Sequence, residues 1–249
     1  MATSVRFAAA TGAALLALAA VSPPAHAAAV ISNGGFESGF ASWTRADQAG
    51  GDGTFFLQAG TASPVNGDPV PAPRGGSTAA MSDGPGPGSH VLYQDFLAVA
   101  GGATLSFDLF VGNRADRFAT PASLDFALTS TTGAQTLNQQ ARVDILRAGA
   151  DPFSVAAADI LLTLYRTQVG APLVGGYGTI VSDIGAVLTA HDGELLRLRF
   201  AETDNLAPFQ LGIDNVAINA VPEPASIVLL LGAALAAARA GRRPRDGRR

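Results

Sequence analysis

Short segments in which apolar and polar residues alternate recur through the middle of the chain. The four clearest are residues 104–111 (TLSFDLFV), 123–130 (SLDFALTS), 140–146 (QARVDIL) and 195–202 (LLRLRFAE). In the first, Leu105, Phe107 and Leu109 share one face and polar residues occupy the other. A period of two with one apolar face is typical of half-buried strands in an antiparallel sheet.

Weaker patterns of the same kind extend the prediction to nine or ten strands. They lie at residues 42–45, 54–57, 91–96, 160–166 and 211–218. Turn-forming stretches rich in glycine and proline separate them, as in VNGDPVPAPRGG and DGPGPGSH. No segment has a convincing amphipathic helical period, although residues 155–159 are expected to form a short helical turn. The pattern therefore predicts an all-β protein, an antiparallel two-sheet sandwich.

The first 27 residues show a different, uniformly apolar pattern. Arg6 precedes an apolar run over residues 7–21, a Pro23–Pro24 break follows, and Ala25-His26-Ala27 provides a small-x-small cleavage site. This three-part order is that of a secretory signal peptide, whose apolar segment is expected to be helical. We expect residues 1–27 to be removed on export, and residues 28–221 to form the sandwich domain.

The C-terminal segment is also apolar but too short to span a bilayer unaided. Residues 227–238 number 12, and as a helix they would span about 18 Å against a hydrocarbon core of about 30 Å. Six arginines follow this run: Arg239, Arg242, Arg243, Arg245, Arg248 and Arg249. A short apolar helix beside a positive cluster is typical of a topological signal.

Pro222-Glu223-Pro224, the apolar run and the arginine cluster together resemble the PEP-CTERM sorting signal of Gram-negative bacteria. The resemblance implies that residues 222–249 halt the exported protein in the inner membrane as a transient anchor. It also implies two partners, the export machinery and an exosortase-type enzyme that recognises the Pro-Glu-Pro triplet and removes the tail. The expected final location is the cell envelope or the extracellular polymer.

Charge and cysteine content exclude several functions. Residues 28–221 contain nine arginines against 18 aspartates and glutamates, a balance of −9, and the chain has no lysine. A domain this acidic is not expected to bind nucleic acid, because it cannot neutralise phosphates. The absence of cysteine excludes disulfides, thiol nucleophiles and thiolate metal sites.

The two ends of the domain resemble the jelly-roll domains of the carbohydrate-binding-module and galactose-binding-like group. The resemblance is carried by VISNGGFESGFASWT near residue 30 and LGIDNVAI near residue 211. It implies a structural Ca²⁺ that ties the first strand to the last, and Glu37 and Asp214 are the candidate ligands. The alternative is that Glu37 is a solvated turn residue and Asp214 makes local hydrogen bonds at a strand end.

The chain has few aromatic residues that could stack on a sugar. Tyr177, flanked by glycines in LVGGYGTI, is the best candidate for stacking on a sugar, whereas Trp43 is expected in the core and Tyr165 in a strand. His90 and His191 lie in polar sequence typical of turns, with no second metal ligand at strand or helix spacing.

No catalytic motif is recognisable in the domain. We therefore expect a non-enzymatic exported protein of the envelope or extracellular matrix, which either binds exopolysaccharide or serves as a matrix component. The alternative is a secreted hydrolase that acts on polysaccharide through a pair of carboxylates, one of which would have a strongly raised pKa.

Overall fold

The computed structural model describes residues 30–220, so the predicted signal peptide and the C-terminal tail lie outside the described residues. Ten strands and one short helix follow one another along the chain. They are β1 (Thr44–Asp47), β2 (Thr54–Gln58), β3 (Ala79–Asp83), β4 (Gly88–Leu97), β5 (Ala103–Asn113), β6 (Gln139–Arg147), β7 (Ile160–Arg166), β8 (Gly178–Asp183), α1 (Gly185–Ala190), β9 (Leu195–Asp204) and β10 (Phe209–Ala220).

The strands form two five-stranded antiparallel sheets that pack face to face as a jelly-roll sandwich. Sheet A has the strand order β1-β4-β9-β6-β7, and sheet B has the order β2-β3-β10-β5-β8. The last strand, β10, lies in the centre of sheet B between β3 and β5. The predicted all-β sandwich is therefore confirmed. Among the described residues, no helix has the length and apolar character needed to cross a membrane.

The predicted alternation positions the core between the sheets. Leu105, Phe107 and Leu109 of β5 are buried against the apolar residues of β6 and β9. Trp43 is also in this core, as expected, with its ring centroid 5.2 Å from that of Phe36. Apolar residues at every second position thus place one face of each central strand in a shared interior.

Four elements differ from the sequence predictions. Residues 123–130 do not form a strand, although they alternate, because Asp125 Oδ1 accepts a hydrogen bond from the Ala127 N–H and stabilises a turn instead. Strands β3 and β8 and helix α1 were not predicted, since their short, small-residue sequences carry little periodic signal. Residues 157–159 form the expected turn, in which Ile160 N–H bonds to Ala156 O.

The outer face of sheet A is covered by a loop and buries an ionic network. Asp144 on β6 accepts two hydrogen bonds from Arg142, at 2.7 and 2.8 Å, and another from Arg199 on β9. Arg199 also donates to the carbonyl oxygens of Pro152 and Ser154 in the covering loop. Asp144 and Arg199 are both fully buried. The charged face of β9 is therefore an interior surface and not the solvated face that simple alternation predicts.

Candidate functional site

The inner face of β9 changes from apolar to acidic at one end of the sandwich. Leu196, Leu198 and Phe200 point into the core, and the same alternation continues to Glu202 and Asp204. Because side chains two residues apart share a face, both carboxylates lie between the sheets. The core therefore ends, on this side, in two buried acidic groups.

Strand register places a histidine beside these carboxylates. His90 on β4 is paired directly with Glu202 on β9, and on its other side with Asp47 on β1. Asp204 lies two positions further along β9 on the same face. One ligand atom each from His90, Glu202 and Asp204 lie within 4.8 Å of one another. We call these three residues the inner cluster.

Hydrogen bonds in the inner cluster are unevenly distributed. His90 Nδ1 lies 2.8 Å from Asp47 Oδ1, and Asp204 Oδ1 accepts a hydrogen bond of 2.8 Å from the Gly88 N–H. Glu202 is 1% exposed, and its Oε1 is buried without a hydrogen-bond partner among residues 30–220. An unpaired buried carboxylate oxygen costs free energy. A bound cation or a proton on the carboxyl group would remove this cost.

The electrostatics of the inner cluster favour neutral carboxyl groups. Burial, and then the charge on Asp204, raise the pKa of Glu202 well above its ordinary value, against a hydrogen bond from Ser82. Burial also raises the pKa of Asp204 to about 7, although the Gly88 N–H and His90 act in the opposite direction. Within the described chain, no arginine forms a salt bridge with either carboxylate.

The prediction that His90 lies in a turn is wrong. His90 is a buried strand residue, and the two carboxylates of the inner cluster come to it from β9, more than 100 residues away in sequence. The missed signal was the continuation of the β9 alternation into Glu202 and Asp204. His191 does lie at a helix end, where its Nδ1 is 2.9 Å from Glu194 Oε2 on the surface.

A solvent-open groove lies along β1 and β2 next to the inner cluster. It is shallow, has a volume of about 590 Å³, and is lined by Phe40, Trp43, Thr44, Arg45, Asp47, Gly53 and Thr54. The Arg45 guanidinium carbon lies 4.7 Å from the centre of the Phe40 ring. Asp47 is shared between the two regions, because its carboxylate lines the groove while it bonds to His90. We call this the β1–β2 groove.

The structure brings Glu37 and Asp214 to a common segment, residues 74–78. Asp214 Oδ2 accepts hydrogen bonds of 2.8 Å from the N–H groups of Arg74 and Gly75. Glu37 Oε1 accepts hydrogen bonds of 2.9 Å from the N–H groups of Ser77 and Thr78. Asp214 is buried and Glu37 is exposed. Each carboxylate is thus bonded to backbone donors, and the calcium pairing stays a prediction.

Tyr177 lies in the loop before β8, and its side chain is half-buried. Its ring packs on the outer face of sheet B, with its centroid 5.8 Å from that of Phe110. Its hydroxyl is buried without a partner in the described part of the chain. Burial, followed by the charges of Asp214 and Asp108, raises the pKa of Tyr177. The ring therefore offers less free surface for stacking than the sequence suggested.

Comparison with known proteins identifies the tail. Residues 220–245 match the PEP-CTERM protein-sorting motif, a range that contains Pro222, Glu223 and Pro224 and the arginines Arg239, Arg242, Arg243 and Arg245. The chain therefore carries this signal, which implies export, membrane-associated sorting and processing by exosortase-type machinery. No curated protein matches the chain.

The fold is similar to those of several solved structures at low sequence identity. The carbohydrate-binding module TmCBM61, solved with β-1,4-galactotriose, is 12% identical over 77% of this chain and 97% of its own, with a TM-score of 0.44. The K3 adhesin domain of Lys-gingipain from Porphyromonas gingivalis is 17% identical with the same coverage and TM-score. The Stig cyclase Fisc from Fischerella sp. is 15% identical over 78% of this chain and 98% of its own, at 0.45. These values describe a similar arrangement of strands and carry no argument about ligand or activity.

Proposed function

We propose that this protein is an exported, non-enzymatic component of the cell envelope or extracellular matrix that binds a neutral polysaccharide. The β1–β2 groove is the observation that carries the proposal. It is a shallow, solvent-open depression in which charged and aromatic residues lie side by side, a form that leaves room for an extended polymer.

The chemistry of the β1–β2 groove suits sugar hydroxyls. Arg45 donates one hydrogen bond to Phe55 O, at 2.9 Å, and its remaining N–H groups are free to donate to a ligand. Asp47 accepts hydrogen bonds, and the Phe40 ring provides an apolar wall. Donors, acceptors and an aromatic surface together are the combination that sugar recognition uses.

Net charge restricts the class of polymer. The balance of −9 over residues 28–221 repels an anionic polysaccharide at low ionic strength. A neutral polysaccharide avoids this repulsion, and its hydroxyl groups can still donate hydrogen bonds to Asp47. We therefore favour a neutral exopolysaccharide over an acidic one.

Binding to neutral and acidic polysaccharides tests the proposal. Arg45→Ala should weaken binding of a neutral polysaccharide tenfold or more, because a hydrogen bond from a charged group contributes about 1.5–3 kcal/mol. Arg147→Ala is the matched control, since Arg147 is also exposed and also donates to a backbone carbonyl, that of Ala158. Affinity electrophoresis in gels that contain the polysaccharide measures both. Equal binding by the two variants, or no retardation of the parent protein, would contradict the proposal.

One observation favours the alternative of a polysaccharide hydrolase. Glu202 and Asp204 are two carboxyl groups with raised pKa values, which is the arrangement expected of an acid catalyst. Their burial argues against it, because a glycosidic bond must lie between the two groups and Glu202 is only 1% exposed. Release of reducing sugar from the bound polymer, lost in Asp204→Asn, would establish the hydrolase.

The sorting proposal concerns the tail. We propose that the C-terminal segment anchors the protein transiently in the inner membrane and that the mature protein lacks the residues beyond about Glu223. Intact-mass measurement of the protein from a host with the processing enzyme tests this. A secreted species that still carries Arg249 would contradict it.

A further inference from the structure

We propose that His90, Glu202 and Asp204 form a binding site for a divalent transition-metal cation, of which Zn²⁺ fits best. The three side chains come from two neighbouring strands and point to the same face, so the sheet itself positions them. Their ligand atoms already lie within 4.8 Å of one another. Ligands about 2.1 Å from a tetrahedral zinc ion stand roughly 3.4 Å apart, so movements of about 1 Å complete the site.

The unpaired oxygen of Glu202 is the second observation that points to a ligand. This side chain is 1% exposed, and its Oε1 has no hydrogen-bond partner within residues 30–220. A cation bound between Glu202 and Asp204 would coordinate that oxygen and offset the repulsion between the two carboxylates.

The donor set determines the class of ion. Ca²⁺ and Mg²⁺ prefer all-oxygen coordination, whereas an imidazole nitrogen together with carboxylates suits zinc and its first-row neighbours. The chain has no cysteine, which leaves histidine and carboxylates as its strong ligands for such ions. Three protein ligands leave a fourth tetrahedral position for water or for an oxygen from the chain.

Asp47 acts as a positioning residue for this site. Its carboxylate oxygen lies 2.8 Å from His90 Nδ1 and, as an acceptor, favours the tautomer with the proton on Nδ1. In that tautomer Nε2 is the free nitrogen of the ring. A carboxylate that orients a metal-binding histidine in this way is common in zinc sites. Because Asp47 also lines the β1–β2 groove, an ion on His90 would lie directly behind the proposed polysaccharide site.

The competing arrangement is a pair of carboxyl groups that share protons and need no metal. The two arrangements differ in one measurable respect. A bound ion that prefers the folded state raises the melting temperature in proportion to ln(1 + [L]/Kd), whereas a proton-sharing pair gives no response to zinc.

Zinc binding by the full-length chain, stripped with chelator and dialysed against Zn²⁺, tests the proposal. We expect about one zinc per chain by inductively coupled plasma mass spectrometry, and a melting temperature several degrees higher at a hundredfold excess over Kd. His191→Ala, which removes the surface histidine beside Glu194, is the matched control and should bind zinc as the parent does. Asp47→Asn should lower the affinity about 10–100-fold, and Glu202→Gln at least as much.

X-ray absorption at the zinc edge of the parent protein keeps the test decisive if a variant does not fold. One imidazole with oxygen ligands supports the site. A zinc shell without nitrogen, the absence of bound zinc, or unchanged zinc affinity in Glu202→Gln would overturn the proposal.

Discussion

Sheet A buries carboxylates on both of its faces, but it surrounds them differently. On the outer face, Asp144 is bonded by Arg142 and Arg199 and by the Thr163 hydroxyl. On the inner face, Glu202 and Asp204 have no arginine partner in the described residues. The two regions share strand β9. Its residue Arg199 is paired with Asp144 of β6, and Glu202 lies three residues further along β9 on the opposite face.

The pKa values express this difference. Burial acts to raise the pKa of Asp144, but Arg142 and Arg199 outweigh it and hold that pKa below its ordinary value. Burial raises the pKa of Glu202 without such compensation. A buried carboxylate can therefore stay ionised when arginines surround it, whereas without them its neutral form or a bound cation is favoured.

The largest effect is expected for the outer network. Asp144→Asn leaves Arg142 and Arg199 buried without a counter-charge, so it should lower the free energy of unfolding by about 3–5 kcal/mol. Asp116→Asn removes the exposed ion pair with Arg117 and should cost less than about 1 kcal/mol. Urea denaturation of both variants measures the difference. Similar losses would show that burial does not distinguish the two ion pairs.

A smaller effect is expected where backbone N–H groups surround the carboxylate. Both oxygens of Asp214 accept hydrogen bonds from backbone N–H groups, one from Asn215 and the other from Arg74 and Gly75. In Asp214→Asn the side-chain NH2 group must replace one of these oxygens and face a donor, which should lower the free energy of unfolding by about 1–3 kcal/mol. If Glu37 and Asp214 also hold Ca²⁺, the parent melts at a higher temperature with Ca²⁺ and the variant does not respond. Thermal unfolding with Ca²⁺ and with chelator tests both points. An equal response in the two proteins would exclude Asp214 as a ligand.

Melting curves at acid pH should reveal how much Glu37 contributes to the stability of the fold. Hydrogen bonds from the Ser77 hydroxyl and from the N–H groups of Ser77 and Thr78 lower the pKa of Glu37 from 4.5 to about 2. A lowered folded-state pKa contributes stability that is complete above pH 4.5 and is lost as the pH falls towards 2. Melting curves across this window should be less pH-dependent in Glu37→Gln than in the parent. Parallel pH profiles for the two proteins would contradict the pKa shift.

The smallest effect is expected in the inner cluster without metal. Burial raises the pKa of Glu202 and so favours its neutral carboxyl form. Glu202→Gln substitutes an uncharged amide of the same shape, so the stability in chelator should change by less than about 1 kcal/mol. The same kind of substitution at Asp144 is the comparison, measured by urea denaturation under identical conditions. A loss as large as that of Asp144→Asn would mean that Glu202 is ionised and paired in the metal-free protein.

Local sequence pattern predicted the sandwich and most of its strands, because alternation reports which residues share a face. It predicted the buried positions of Leu105, Phe107 and Leu109 for that reason. It could not predict the inner cluster, since the contact between His90 and Glu202 depends on the register of two strands distant in sequence. It also misread residues 123–130, where a side-chain hydrogen bond of Asp125 competes with strand formation.

The central position of β10 has a consequence for the timing of folding. This strand pairs with β3 and β5, and without it sheet B separates into a β2–β3 hairpin and a β5–β8 pair. A chain exported from its N-terminus delivers β10 last, so sheet B cannot close until almost the whole domain has crossed the membrane. Contacts over such long sequence separations also form slowly. Sheet B is therefore expected to close only after its last strand has emerged.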